Sequence, residues 1–142
     1  MTWLQELHRR LGGQYQQSGE QVGDRRAAML LKHAGRREAG MAEALGEWLD
    51  RTERDNLQSY FQYVIQDNDL SLFDSLQIRT DMSADEVADA MTKVISRMAL
   101  LYRRLAEMSD FEAAAELFSR LADRSESERD QVAASLQQLK DL

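Results

Sequence analysis

Four stretches of this chain place apolar residues every three or four positions, the period of a helix that turns one face to a core. In the first, about Thr2 to Ser18, the residues Leu4, Leu7, His8, Leu11 and Tyr15 share one stripe, and the Ser-Gly-Glu-Gln-Val-Gly segment after it reads as a turn. Asp24 is placed to cap a second helix, whose stripe is Ala27, Leu30, Ala34, Glu38, Met41, Leu45 and Trp48. Ser83 with Glu86 has the spacing of a capping box and opens a third helix carrying Val87, Met91, Val94, Met98, Leu101 or Tyr102, Leu105 and Met108. Ser109 with Glu112 repeats that spacing before a fourth, with Ala114, Leu117 or Phe118, Leu121, Ser125, Glu128, Val132 and Leu136 inward. Alternating β-branched runs, the mark of strands, are missing, and the chain contains no proline to break a helix interior. The fold class is all-α.

The third and fourth helices touch through almost no loop and so form a tight antiparallel hairpin. Between the second and third lie about thirty residues, too many for a short turn. They are rich in Tyr60, Phe61, Tyr63, Val64, Ile65, Leu70, Leu72, Phe73, Leu76 and Ile78. A short helix near Glu53–Gln66 and a less regular segment around Leu70–Ile78 are expected there. The length of this connection favours a crossover, which starts the third helix at the same end as the second. The simpler alternative is an up-down-up-down bundle with an inserted fifth helix. The organisation is a single helical-bundle domain over 1–142: hairpin 1–50, crossover 51–82 and hairpin 83–142.

An internal repeat supports two hairpins. Residues 15–45 and 102–132 align without a gap at an offset of 87, with six identities: Tyr15/Tyr102, Glu20/Glu107, Ala27/Ala114, Ala28/Ala115, Leu30/Leu117 and Arg37/Arg124. Leu31/Phe118 and Leu45/Val132 keep an apolar residue in each copy. A period this long is no solenoid unit; it reads as one hairpin used twice around a shared core.

Charge and composition narrow the function classes. The net charge is −7, with both signs spread along the chain, so positive potential is not concentrated as nucleic-acid binding requires. The arginine pairs at 9–10, 25–26, 36–37 and 103–104 are interspersed with carboxylates, as on a solvated helix face. Cysteine is absent, which removes disulfides, thiol nucleophiles and thiolate metal ligands. No apolar run approaches membrane-spanning length and the N-terminus has no signal pattern, so a cytoplasmic, bacterial protein without a membrane partner is expected.

The second hairpin resembles the ferritin-like superfamily, and within it rubrerythrin-type domains. The resemblance rests on Leu101-Tyr102-Arg103-Arg104-Leu105-Ala106-Glu107 and on Ala115-Glu116-Leu117-Phe118-Ser119-Arg120-Leu121-Ala122-Asp123. It is fair across that hairpin, weaker across the first and absent from the connection. It implies a ferritin-like four-helix bundle of two hairpins joined by a long crossover containing a short helix. It also implies a di-metal centre: a carboxylate from each of two helices and a Glu-x-x-His pair from each of the others. Residue by residue the chain departs from that set. Glu38 stands where the family has Glu, but Met41 stands in the following His position. On the fourth helix Ser125 replaces Glu and Glu128 replaces His. The two remaining carboxylate positions hold His8 and Ile95. Only Glu38 is of the expected type, so an intact di-iron site is not credible.

His8, Glu38 and Glu128 nevertheless fall on the inward stripes of three different helices. Buried ionisable groups are costly unless paired, so one reading is a hydrogen-bonded network with the imidazole between the two carboxylates and Ser125 completing it. A second reading rotates the stripes and leaves the three in solvent. A third is a residual mononuclear site of one imidazole and two carboxylates, a donor set suited to iron, manganese or zinc. His33 lies on another face, at the surface. Methionines 29, 41, 91, 98 and 108 read as core filler. There is no phosphate loop, and Ser125 has no recognisable base.

The sequence therefore points to a non-catalytic ferritin-like bundle that has lost its metal site and acts through protein–protein interaction, with no cofactor. The alternative is a metal-binding or redox protein using His8, Glu38 and Glu128. A third reading is a stress- or regulation-linked binding module whose groove is lined by the aromatic connection. That connection carries more apolar side chains than a solvated linker needs, so a symmetric homodimer, or another protein partner, is expected to cover part of it.

Overall fold

The computed structural model describes residues 3–48, 76–109 and 112–141. Four helices account for nearly all of them: α1 (Trp3–Gln21), α2 (Arg25–Trp48), α3 (Ala84–Met108) and α4 (Glu112–Lys140). α1 pairs with α2 and α3 with α4, and the four share one core. The short helix and irregular segment expected within the connection lie outside the described residues, as do most of the apolar side chains on which the symmetric dimer was argued. Where the connection is described again, Leu76, Ile78 and Met82 are partly buried against the core.

Local chemistry sets the helix starts. The Asp24 carboxylate accepts a hydrogen bond from the Ala27 N–H at 3.0 Å, occupying one of the free donors at the start of α2. Ser83 closes a full capping box on α3: its hydroxyl accepts from the Glu86 N–H and the Glu86 carboxylate accepts from the Ser83 N–H. At the same end of the second hairpin, Lys140 in the last turn of α4 pairs with Asp85 in the first turn of α3 at 2.8 Å. Each charge there also opposes the partial charge of its own helix end.

The turn of the first hairpin marks the direction of α3. The Gly23 N–H donates to the Thr80 carbonyl at 3.0 Å, which puts the start of α3 beside the start of α2. The two start at the same end and run in parallel.

The 87-residue offset reappears in the helices. Gln21 and Met108 end α1 and α3, and Arg25 and Glu112 begin α2 and α4, so each pair is separated by that interval. Buried positions repeat as well: Leu4 with Met91, Leu7 with Val94, Leu11 with Met98, Tyr15 with Tyr102, Leu31 with Phe118 and Leu45 with Val132. Where the sequence left a choice, Tyr102 and Phe118 are buried while Leu101 and Leu117 are only partly so.

Three local expectations are corrected. α1 continues three residues past Ser18, because Gly19 is a point of helix contact and not the start of a turn. A Cβ there would lie 3.0 Å from Lys32 Cγ and 3.3 Å from Leu31 Cβ. Ser109 does not cap α4 as the spacing suggested. It ends α3 through its N–H to the Ala106 carbonyl, and its buried hydroxyl finds no partner. Met29 is 53% exposed and so is no core filler, whereas Met41, Met91 and Met98 are buried.

Candidate functional site

Three helices bring polar side chains into the otherwise apolar interior. His8 projects from α1 and Glu38 from α2, 3% and 6% exposed, and Tyr102 from α3 is 1% exposed. The register explains this. His8 shares the α1 stripe with Leu4, Leu11 and Tyr15, and Glu38 shares the α2 stripe with Ala34, Met41 and Leu45. A helix that buries those apolar neighbours must also bury the polar residue between them.

The three side chains form one chain of hydrogen bonds. His8 Nδ1 bonds Glu38 Oε2, and His8 Nε2 bonds the Tyr102 hydroxyl. The imidazole and phenol planes are within 13° of each other with centroids 6.1 Å apart, an arrangement compatible with a near in-line hydrogen bond. Burial pushes the Tyr102 phenol well above its ordinary pKa, and the charges of Glu38 and Glu128 raise it further. The phenol is therefore protonated and bonds Nε2 through its hydroxyl, while Nδ1 is held by the Glu38 carboxylate. Each polar group in the sequence Tyr102–His8–Glu38 satisfies the next. The side chains are closed to solvent, so the arrangement fastens α1, α2 and α3 together and presents no nucleophile to a substrate.

Two residues expected in this network stand apart from it. Ser125 is buried, but its hydroxyl donates to the Leu121 carbonyl one turn back on α4 at 3.0 Å. The Glu128 side chain keeps 15% of its exposure and lies 3.9 Å from Arg124. Its carboxyl is raised above the ordinary range, first by burial and next by the charge of Glu38, with Arg37, His8 and Arg124 opposing. The imidazole thus joins one carboxylate and a phenol, not the two carboxylates. His33 is exposed, as expected.

The pseudo-equivalent half of the bundle lacks this chemistry. The offset of 87 carries His8 to Ile95, Glu38 to Ser125 and Tyr102 back to Tyr15. Tyr15 is 1% exposed and its hydroxyl has no hydrogen-bond partner. Burial holds its pKa far above the ordinary tyrosine value, with the charges of Glu38 and Glu128 adding to the shift. An orphaned buried hydroxyl is uncommon in folded proteins. Here it follows from the replacement of the histidine and carboxylate positions by an isoleucine and a self-satisfied serine.

These residues do not fit a di-metal centre. Of the six ligand positions implied by the resemblance, Glu38 alone has the expected carboxylate, and it is bonded to His8. Met41 and Ile95 are buried apolar side chains, and the Ser125 hydroxyl is turned to its own helix. Among the described residues no group of three or more His, Cys, Asp or Glu is gathered as a metal would need, so His8, Glu38 and Glu128 form no ready ligand cage. No described helix is long and apolar enough to cross a membrane.

The partner that sequence reasoning missed is Tyr102. Its signal was present: a tyrosine kept at equivalent stripe positions in both halves of the repeat, Tyr15 and Tyr102, carries a hydroxyl that must be satisfied when buried. Comparison of the chain with protein-family models, with curated proteins and with solved structures finds no match.

Proposed function

We propose that this chain is a ferritin-like helical bundle that has lost its di-metal site and works without catalysis, through its surface, by binding protein. The observation that carries this reading is the closed Tyr102–His8–Glu38 chain. It occupies the interior where such bundles hold metal, consumes the one carboxylate of the expected type, and binds three helices together in place of an ion. The parallel run of α2 and α3 supports the ferritin-like form. A surface role follows because the polar groups of the interior are spent on one another.

Metal content decides between this reading and a residual mononuclear site. Protein purified without chelator should carry far less than one ion of iron, manganese or zinc per chain. Its melting temperature should not move when these ions are added, since nothing binds the folded state preferentially. One tightly held ion per chain, lost together with its stabilisation in His8→Ala, would overturn the proposal.

A further inference from the structure

A groove of about 650 Å³ lies between α1 and α2, with Gly12, Gly13 and Gly35 in its lining. Its lining shares no residue with the core cluster, so it opens on the side of this hairpin turned away from α3 and α4. Arg9 and Arg36 stand at its edges, exposed and outside every ion pair among the described residues. With Glu43 as the acidic member, the lining has a net positive charge.

The same outer face of the α3–α4 hairpin is its complement. Through the offset of 87, Gly13 becomes Leu100, Arg36 becomes Asp123, Ala39 becomes Glu126 and Glu43 becomes Asp130. Leu100 is 69% exposed, and with Met29 it is one of two large apolar side chains left in solvent among the described residues. Asp123 and Glu126 share the single guanidinium of Arg103, at 2.8 and 3.1 Å. With Arg129 and Asp130 included, this face carries a net negative charge. One hairpin thus offers a hollow flanked by unpaired arginines, and the other a protruding leucine flanked by carboxylates.

We infer that the partner seated in the groove is a second copy of this chain. Leu100 of one molecule packs over Gly12 and Gly13 of the next, with the Asp123 and Glu126 side opposite Arg9 and Arg36. The inference rests on the surface-acting reading above and goes beyond it by assigning the faces and the occupant. Groove and ridge belong to different hairpins, so the contact is heterologous. Each pair of molecules leaves one groove and one ridge free, and association continues past two copies unless a ring closes. The charge component is exposed and therefore weakens as salt is raised.

Sedimentation velocity of the full chain tests this. The mass should grow with protein concentration and fall with salt. Leu100→Glu removes the ridge, and Gly13→Gln fills the groove at a position where a Cβ meets nothing within 4 Å. Both sites are exposed, so each variant should melt like the wild type and sediment as a monomer. An equimolar mixture of the two should form a pair and stop there, because the intact groove and the intact ridge then lie on different molecules. A wild type that is monomeric throughout, oligomers that survive either substitution, or a mixture that stays monomeric would each overturn the inference. The surface-acting reading would still be decided separately by the metal content.

Discussion

The two hairpins turn at equivalent positions and bury many equivalent residues, yet the interior is solved in two different ways. At one place a histidine and a glutamate of the first hairpin and a tyrosine of the second satisfy one another across three helices. At the equivalent place stand an isoleucine and a self-bonded serine of the second hairpin and a tyrosine of the first whose hydroxyl bonds nothing. The contrast separates what a buried position demands from what a buried polar group demands. Both Tyr15 and Tyr102 fill the same kind of space, but only Tyr102 has a partner. Their rings serve packing equally, and the hydroxyls do not.

The strongest way to break this contrast is to copy one half into the other. His8→Ile places the residue of Ile95 in the first hairpin and strands the Glu38 carboxylate and the Tyr102 hydroxyl. Urea denaturation at neutral pH should show a loss of about 2–4 kcal/mol. Adding Glu38→Ser, the residue of position 125, removes the stranded charge and should recover at least half of that loss. A double variant no more stable than the single one would mean that pairing is not what distinguishes the halves.

Next in size is the pair of tyrosines. Tyr102→Phe removes the hydrogen-bond partner of His8 Nε2 and leaves a buried ring nitrogen unsatisfied, at a cost of about 1–2 kcal/mol. Tyr15→Phe removes a hydroxyl that has no partner and should change stability by less than about 0.5 kcal/mol, or raise it. Equal losses in the two melting curves would show that Tyr15 is satisfied by a bound water, and the asymmetry would be smaller than described.

The smallest effect concerns Glu128, which sits at the Met41 position of the second hairpin. Its carboxyl has a higher pKa in the fold than in the unfolded chain, chiefly through burial and then through Glu38. An acid raised in this way costs stability while ionised. The cost is present at neutral pH and is relieved as pH falls through the raised value into the ordinary carboxylate range. Glu128→Gln should therefore be more stable than the wild type at neutral pH, by less than the His8→Ile loss, and the gain should fade on acidification. The pair with Arg124 at 3.9 Å subtracts at most about 0.5 kcal/mol from it. Denaturation curves at several pH values check both the sign and the trend.

Much of the fold was legible from the apolar period. The stripe of α1 and that of α2 from Ala27 to Leu45 are buried, including the two polar members His8 and Glu38, and the caps at Asp24 and Ser83 are as the spacing indicates. Periodicity assigns a side chain to a face, however, and says nothing of what stands across from it. Glu128 was read as a partner of His8 because both pointed inward. The imidazole instead meets Tyr102, 94 residues away along the chain. The glycines misled for a related reason: Gly19 has the composition of a turn, but its missing side chain is used for close helix contact.

The sequence by itself determined the four helices, the caps that start α2 and α3, the inward faces and the duplication, because each depends on residues within a few positions of one another or on the repeat itself. Only the tertiary structure decided which buried polar groups pair. That choice depends on how far each helix is rotated and how closely the hairpins approach. Glycines set the approach: Gly12 sits where a Cβ would fall 3.2 Å from both Glu38 Cβ and the Gly35 carbonyl, while its counterpart across the repeat is Ala99. Hydrogen bonds form or fail over a few tenths of an ångström, so a half-turn of register that the hydrophobic pattern fixes still leaves the partner to the packing.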